Sequence, residues 1–212
     1  MSPKRRAKHE SLSHGVICTA ALRLIDRDGL DEFSTRKLGR ELGCEAMAIY
    51  YYFKSKDELL DAVVDRLMEG VAAAVTDRDD DDWIAVLREV AHAYRRLAHE
   101  HPNAFPLLAT RRFASEGTYA FLERLFEIAR RRGIDDRVTA RFYRVVSSYC
   151  NGFALNELDT LRGPRGPAAA ALRNRFTRVA AVSTWFEPQH LDEMFEFGLE
   201  LQLAALAEQT QA

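Results

Sequence analysis

Cysteine is scarce in this 212-residue chain: Cys18, Cys44 and Cys150 are odd in number and far apart. That excludes a disulfide framework, and none stands at a metal-ligand spacing, so they read as buried or inert thiols in a reducing cytoplasm. No apolar run approaches the roughly eighteen residues that a membrane span requires. The start, Met1-Ser2-Pro3-Lys4-Arg5-Arg6, is charged with no apolar segment behind it, which predicts no secretory leader. Gly-rich phosphate loops, GxSxG and HExxH are missing, so neither an enzyme nor a cofactor is expected. Sustained period-two alternation and Asn-Gly turns are missing too, which argues against a sheet. A net charge of −2 offers no overall attraction to nucleic acid.

The chain is nonetheless rich in apolar residues at helical spacing, with 47% hydrophobic residues overall. An all-α chain of about ten helices is predicted. An amphipathic helix from about Ser13 to Arg27 ends at Gly29, and Ser55-Lys56-Asp57-Glu58 is a capping box opening a helix to about Val75. The acidic run from Asp77 to Asp82 lacks the glycine and distal glutamate of a calcium loop. It reads as a solvated linker with Asp at the next helix start. Helices follow at about Trp83–His99, Asn103–Thr110 (a short helix or turn), Glu116–Arg132, Asp135–Leu161, Ala168–Val182 and Gln189–Glu208, with a break at 163–167.

Charge is divided between the two ends. Residues 1–56 hold eleven Lys and Arg against seven Asp and Glu, a net +4, and residues 57–212 hold nineteen against twenty-five, a net −6. Such polarity presents one end to phosphates and keeps the other away. The tail Lys4-Arg5-Arg6-Ala7-Lys8 reads either as an arm along the DNA or as a solubilising extension.

The positive end contains Ser34–Phe53, two short helices bent around Gly43-Cys44. Leu38 and Leu42 share a buried face, and Ile49 and Phe53 continue it past the turn. The frame from Val16, Ile17, Ala20, Ala21, Leu24 and Ile25 through Gly29, Phe33-Ser34-Thr35-Arg36, Leu38, Gly43, Ile49-Tyr50, Phe53 and Leu59-Leu60 resembles the helix-turn-helix of the TetR (tetracycline-repressor-like) family. The resemblance implies a DNA-binding domain over 11–71, with its helix-turn-helix at about 34–53, and a ligand-binding and dimerisation domain over 72–212. It implies a bacterial transcriptional regulator, more readily a repressor than an activator, bound to a double-stranded, pseudo-palindromic operator.

The DNA-contacting residues expected are Thr35, Arg36, Glu45, Ala46, Met47, Tyr50, Tyr51, Lys54 and Lys56. Thr35, Tyr50 and Lys56 suit phosphates, and Arg36, Ala46, Met47 and Tyr51 suit the groove floor. Two departures from the family pattern stand out. Glu45 occupies a position where many relatives carry a small hydroxyl residue, and Ala46, Met47 and Ala48 offer little polar readout.

The rest of the chain holds sixteen of its twenty-one aromatics. By resemblance this domain encloses a small-molecule pocket, for which Leu67, Leu87, Tyr94, Phe105, Leu108, Phe121, Leu125, Phe142, Val146 and Tyr149 are candidates. Each also reads as ordinary core. Leu107 stands where tetracycline repressors carry a magnesium-binding histidine, and Ala72 and Glu89 fall near their drug-contacting histidine and asparagine. A different effector, apolar or aromatic, is therefore expected. The final helix is apolar on more than one side, and the helix from Asp135 carries small residues among aromatics. By resemblance these form a homodimer interface, with Ser148, Gly152, Met194, Phe195, Gly198, Leu201 and Ala205 as candidates; burial within one subunit is the other reading. His92 and His99 can share a helix face without an evident third ligand, so no metal is expected. A metal-responsive sensor and a ligand-independent activator or adaptor are the alternative functions.

Overall fold

Ser13, Ser34 and Ser55 turn the chain into helices in one and the same way. Each is extended, and its hydroxyl accepts the amide of the residue three further on, Val16, Lys37 and Glu58 respectively. A cap of this kind stabilises a helix by about 1 kcal/mol. The computed structural model describes residues 12–75, 82–111, 115–163 and 175–210. The basic tail at Lys4–Lys8, most of the acidic run before Asp82 and the expected helix start at Ala168 lie outside the described residues.

Among the described residues all regular structure is helical, in ten α-helices and two short 3-10 turns. The first four helices are α1 (His14–Asp28), α2 (Thr35–Leu42), α3 (Ala46–Tyr50) and α4 (Lys56–Ala72). They are followed by α5 (Trp83–Glu100), α6 (Phe105–Arg111), α7 (Glu116–Arg131) and α8 (Asp136–Leu161). Helix α9 (Thr177–Ser183) and the turns Thr184–Phe186 and Pro188–His190 lead into α10 (Leu191–Thr210). The fourth helix stops at Ala72, short of the expected Val75.

The N-terminal core gathers Ile17, Ala21, Ile25, Leu38, Ile49, Leu59 and Val63, none more than 1% exposed. Helix α4 crosses from this core into the next. Its first turns hold Leu59 and Val63 against α1, and its later turns bury Leu67, Met68 and Val71 under α5 and α7.

Helices α5, α8 and α10 form the second core. Phe195, Tyr149 and Phe153 pack ring on ring there, and the Arg95 guanidinium lies 4.8 Å from the centre of the Phe195 ring. A ladder of ion pairs fixes the register of the three helices. Arg95 grips Glu157, which is 2% exposed, at 2.5 Å and Asp192 at 2.6 Å, while His99 reaches Glu157 at 3.1 Å and Arg88 meets Glu200 at 2.7 Å. A buried carboxylate is tolerated only with such partners, and removing Arg95 would strand it.

Candidate nucleic-acid interface and effector cavity

The bend between α2 and α3 is set by two glycines. Gly43 takes the left-handed conformation, φ 69° and ψ 27°, and ends α2. Gly39 lets α3 come close: a Cβ added there would stand 2.8 Å from the carbonyl oxygen of Cys44, whose amide donates to Gly39 O at 2.9 Å. Leu38 and Ile49 lie beneath this contact, so the outer faces of both helices are left to solvent.

Three consecutive tyrosines have three different positions. Tyr52 is a strut: its hydroxyl donates to Leu12 O at 2.8 Å, and its own carbonyl meets His14 Nε2 at 3.0 Å. Tyr51 is 87% exposed, and Tyr50 brings its hydroxyl to 3.4 Å from Thr35 Oγ1 across the two helices. Met47 is 74% exposed, and Arg36, Glu45, Lys54 and Lys56 are exposed as well, with Ala46 half-buried. Glu45 occupies the N-cap of α3 without a side-chain capping bond. Lys56 Nζ donates to Phe33 O at 3.1 Å and sits over the Phe33 ring, which holds the ammonium beside the start of α2. Its other donors stay available to a phosphate.

The nearby charges are sorted. Arg27 pairs with Asp28 and Glu41, and Lys37 with Glu32 at 2.8 Å. No ion pair involves Arg36, Lys54 or Lys56 among those found for the described residues. The surface around α2 and α3 therefore combines exposed cations, hydroxyls and apolar tips, the chemistry that phosphates and groove edges accept.

The second feature is an apolar cavity of about 50 Å³ among α4, α5, α6, α7 and α8. Six expected pocket residues line it, namely Leu87, Tyr94, Leu108, Phe121, Leu125 and Val146. Leu67, Phe105, Phe142 and Tyr149 are not part of its lining. On α4 the wall is Met68 and Val71, and Leu67 is turned about 100° from Met68 into the core. Phe105 instead stacks edge-on against Tyr94, with ring centres 5.2 Å apart. On α8 the wall is Tyr143, Val146, Ser147 and Cys150, one stripe that leaves Phe142 and Tyr149 on other sides. Tyr149 donates to Phe195 O at 2.9 Å, which commits it to α10. Val90, Ala91 and Thr118 complete the lining, and only their helical phase relative to Leu87 and Phe121 hinted at them. Burial pushes the Cys150 thiol up to about 12, so it faces the cavity uncharged.

Helix α6 joins the cavity to the first domain. Leu108 is in the cavity wall, while Arg111 at the end of α6 binds Asp61 at 2.8 Å and also Asp57 on α4. Just before α6, His101 Nδ1 lies 2.7 Å from Asp26 Oδ2, and Asn103 donates to Asp26 O at 2.8 Å. Both ends of α6 are thus fastened to helices of the N-terminal unit, α1 and α4.

The candidate dimer residues divide. Phe195 is fully buried within its own chain, and Gly198 seats Tyr149, since a Cβ there would meet the phenol oxygen at 2.4 Å. Both serve packing of α8 on α10; Phe195 has no surface left to offer a second copy, while Gly198 stays half-buried. Ser148, Leu201 and Ala205 are exposed, and Gly152 and Met194 half-buried. Around them stand Val145 at 50%, Phe197 at 68% and Leu201 at 58% exposure.

Comparison with known families decides the origin of this arrangement. Residues 17–63 match the model of bacterial regulatory proteins of the tetR family, and residues 76–210 match the tetracyclin repressor-like C-terminal domain. The chain belongs to the TetR family. It is 35% identical over 85 residues to the class C tetracycline repressor of Escherichia coli, covering 40% of this chain and 39% of that one. The chain spans 39% to 63% of the length of this and two further curated TetR-type relatives. A possible TetR family transcriptional regulator from Streptomyces coelicolor A3(2) has a solved structure that superposes with TM-score 0.79. It is 28% identical, over 92% of this chain and 99% of that one. ActR of Streptomyces coelicolor, solved in complex with actinorhodin, shares the TetR fold at TM-score 0.79 and 24% identity, over 96% of this chain and 100% of that one. No helix of the described residues is long and apolar enough to cross a membrane.

Proposed function

We propose that this TetR-family chain is a transcriptional repressor that leaves a pseudo-palindromic operator when an apolar or aromatic effector enters its cavity. The observation that carries the reading is the double attachment of α6, with Leu108 in the cavity wall and Arg111 and the His101–Asn103 turn tied to α4 and α1. A ligand pocket for a drug-sized molecule has about 300–1,000 Å³, far more than the cavity of about 50 Å³ in this state. An effector of that size must therefore push its walls apart, and Met68, Val71 and Leu108 belong to the helices that lead to the DNA-contacting surface. Ligand and DNA then favour different arrangements and compete through differential affinity. ActR, solved in complex with actinorhodin, supports a small-molecule effector by analogy of fold.

The working unit proposed is a homodimer, with the exposed apolar stripes of α8 and α10 (Val145, Ser148, Gly152, Phe197, Leu201 and Ala205) turned to a second copy. Two recognition helices would enter successive major grooves about 34–36 Å apart. Thr35, Tyr50, Lys54 and Lys56 hold phosphates in this reading, while Arg36, Ala46, Met47 and Tyr51 face bases and Glu45 borders them. The test is selection of a duplex from random sequence, followed by anisotropy titration with and without apolar aromatic compounds. A selected palindrome that is released by such a compound from the wild type, but not from Ala91→Leu, meets the expectation. Release that is unaffected by filling the cavity sinks the reading.

A further inference from the structure

Between Gly43 and Lys54 the sequence holds a single charged residue, Glu45, and no Arg, Lys, Asn or Gln. The outward side of α3 otherwise offers Met47, 74% exposed, half-buried Ala46 and Ala48, and the Tyr51 ring. Glu45 is exposed, and two ordinary duties of a carboxylate do not claim it. Its side chain makes no capping bond to α3. Among the described residues it forms no ion pair, although Arg36 and Arg40 stand one turn apart on the neighbouring α2. The backbone sets it at the crossing of the two helices, where its carbonyl carbon would lie 3.3 Å from a Cβ added at Gly39.

A free carboxylate is unfavourable beside phosphates, because like charges set against each other weaken association. Only a hydrogen-bond donor on the duplex offsets that cost, and the major-groove donors are the amino groups of cytosine and adenine. The two differ in their neighbours. Adenine N6 stands between two acceptors, its own N7 and thymine O4, and both repel a carboxylate. Cytosine N4 has an acceptor on one side only, guanine O6, and a carbon-bound hydrogen on the other. Guanine and thymine present no donor there.

We infer that Glu45 reads a cytosine, one in each half-site, and bars the other three bases from that position. The inference rests on the DNA-contact reading above and supplies the base that α3 requires.

Selection of duplexes from a random pool by the full chain, followed by anisotropy titration of all four bases at each position, tests it. The wild type should select a palindrome with cytosine at one mirrored position, and bind the other three bases there about tenfold or more weakly. Glu45→Gln should move that preference to adenine, because an amide both donates to N7 and accepts from N6. Glu45→Ala should flatten it, and should bind the guanine-substituted duplex more tightly than the wild type does, since the repulsion is gone. Preferences at other positions should stay unchanged in both variants. A wild-type site without a cytosine-specific position, or the same cytosine preference in all three proteins, overturns the inference. So does an equal loss at every position in Glu45→Ala, which would make Glu45 a scaffold residue. A wild type that enriches no duplex overturns the DNA-contact reading along with it.

Discussion

Replacing Gly39 by Ala sets two effects of opposite sign against each other. Alanine inside a helix is better than glycine by about 0.5–1 kcal/mol, because less backbone freedom is lost on folding. Against that, the new Cβ would lie 2.8 Å from Cys44 O, 3.2 Å from Ala46 N and 3.3 Å from the Glu45 carbonyl carbon. All three are backbone atoms, so relief requires α2 and α3 to move apart. Overpacking of this kind costs about 1–3 kcal/mol. The clash wins, with a net loss on the order of 1–2 kcal/mol. At about 2–4 °C for each kcal/mol in a chain of this size, the melting temperature should fall by roughly 2–8 °C. Operator binding should suffer more than stability, since a displaced α3 loses base contacts worth about 1–3 kcal/mol each. Gly70 is the control: it lies within α4 and an added Cβ meets nothing within 4 Å. Gly70→Ala should therefore raise the melting temperature by about 1–4 °C. Thermal melts and anisotropy titrations of both variants decide the matter. A Gly39→Ala protein that melts at or above the wild type and binds equally well would refute the close approach of the two helices.

Three further expectations concern other parts of the chain. Lys56→Ala should weaken binding to every duplex alike and reduce the salt slope by about one, whereas Arg36→Ala should lose about 1–3 kcal/mol at a single base position; a base-by-base titration that reverses the two patterns exchanges their roles. Leu201→Glu, on an exposed position, should yield folded monomers in sedimentation, while Gly198→Glu should displace Tyr149 and lower stability; an unshifted dimer of Leu201→Glu sets the interface elsewhere. Burial raises the Cys18 thiol to about 11 and Cys150 to about 12 from an ordinary 9.0, so both stay protonated in the folded chain while the unfolded chain ionises first. Their contribution is complete below about pH 9 and is lost as the pH climbs toward the folded values, so stability should fall across that window. A Cys18→Ala/Cys150→Ala double variant should flatten that decline, and an unchanged slope in melts at increasing pH would refute it.

The helices were legible because their signals are local. Ser13, Ser34 and Ser55 announce caps, Gly29 and Gly43 announce ends, and the spacing of Leu59, Val63 and Leu67 announces a buried face. The helix-turn-helix was legible for the same reason, since its whole frame lies within about fifty residues of sequence. The cavity was less so. Periodicity tells that Leu67 and Phe105 are buried, but not whether a void or another side chain lies opposite, and that depends on how α4 and α5 are rotated. Phe195 and Gly198 illustrate a further limit. A small residue next to an aromatic on an apolar helix suits a partner subunit as well as it suits the same chain, and the contact of Gly198 with Tyr149, some fifty positions earlier, is not written in the local pattern. The roles of Tyr50, Tyr51 and Tyr52 were beyond sequence because Leu12 and Thr35 decide them from outside the run.

Helix α4 belongs to two cores, and this bears on how the molecule unfolds. A protein cut after residue 71 would keep Leu59 and Val63 covered but strip Leu67, Met68 and Val71 of their neighbours from α5 and α7. The freed fragment would carry a sticky apolar strip and lose the polar ties at Asp26, Asp57 and Asp61. The two halves should accordingly melt in one transition rather than two, each borrowing part of its stability from the other. Any compound that tightens the second core would then protect the DNA-binding helices from proteolysis even while it removes them from DNA.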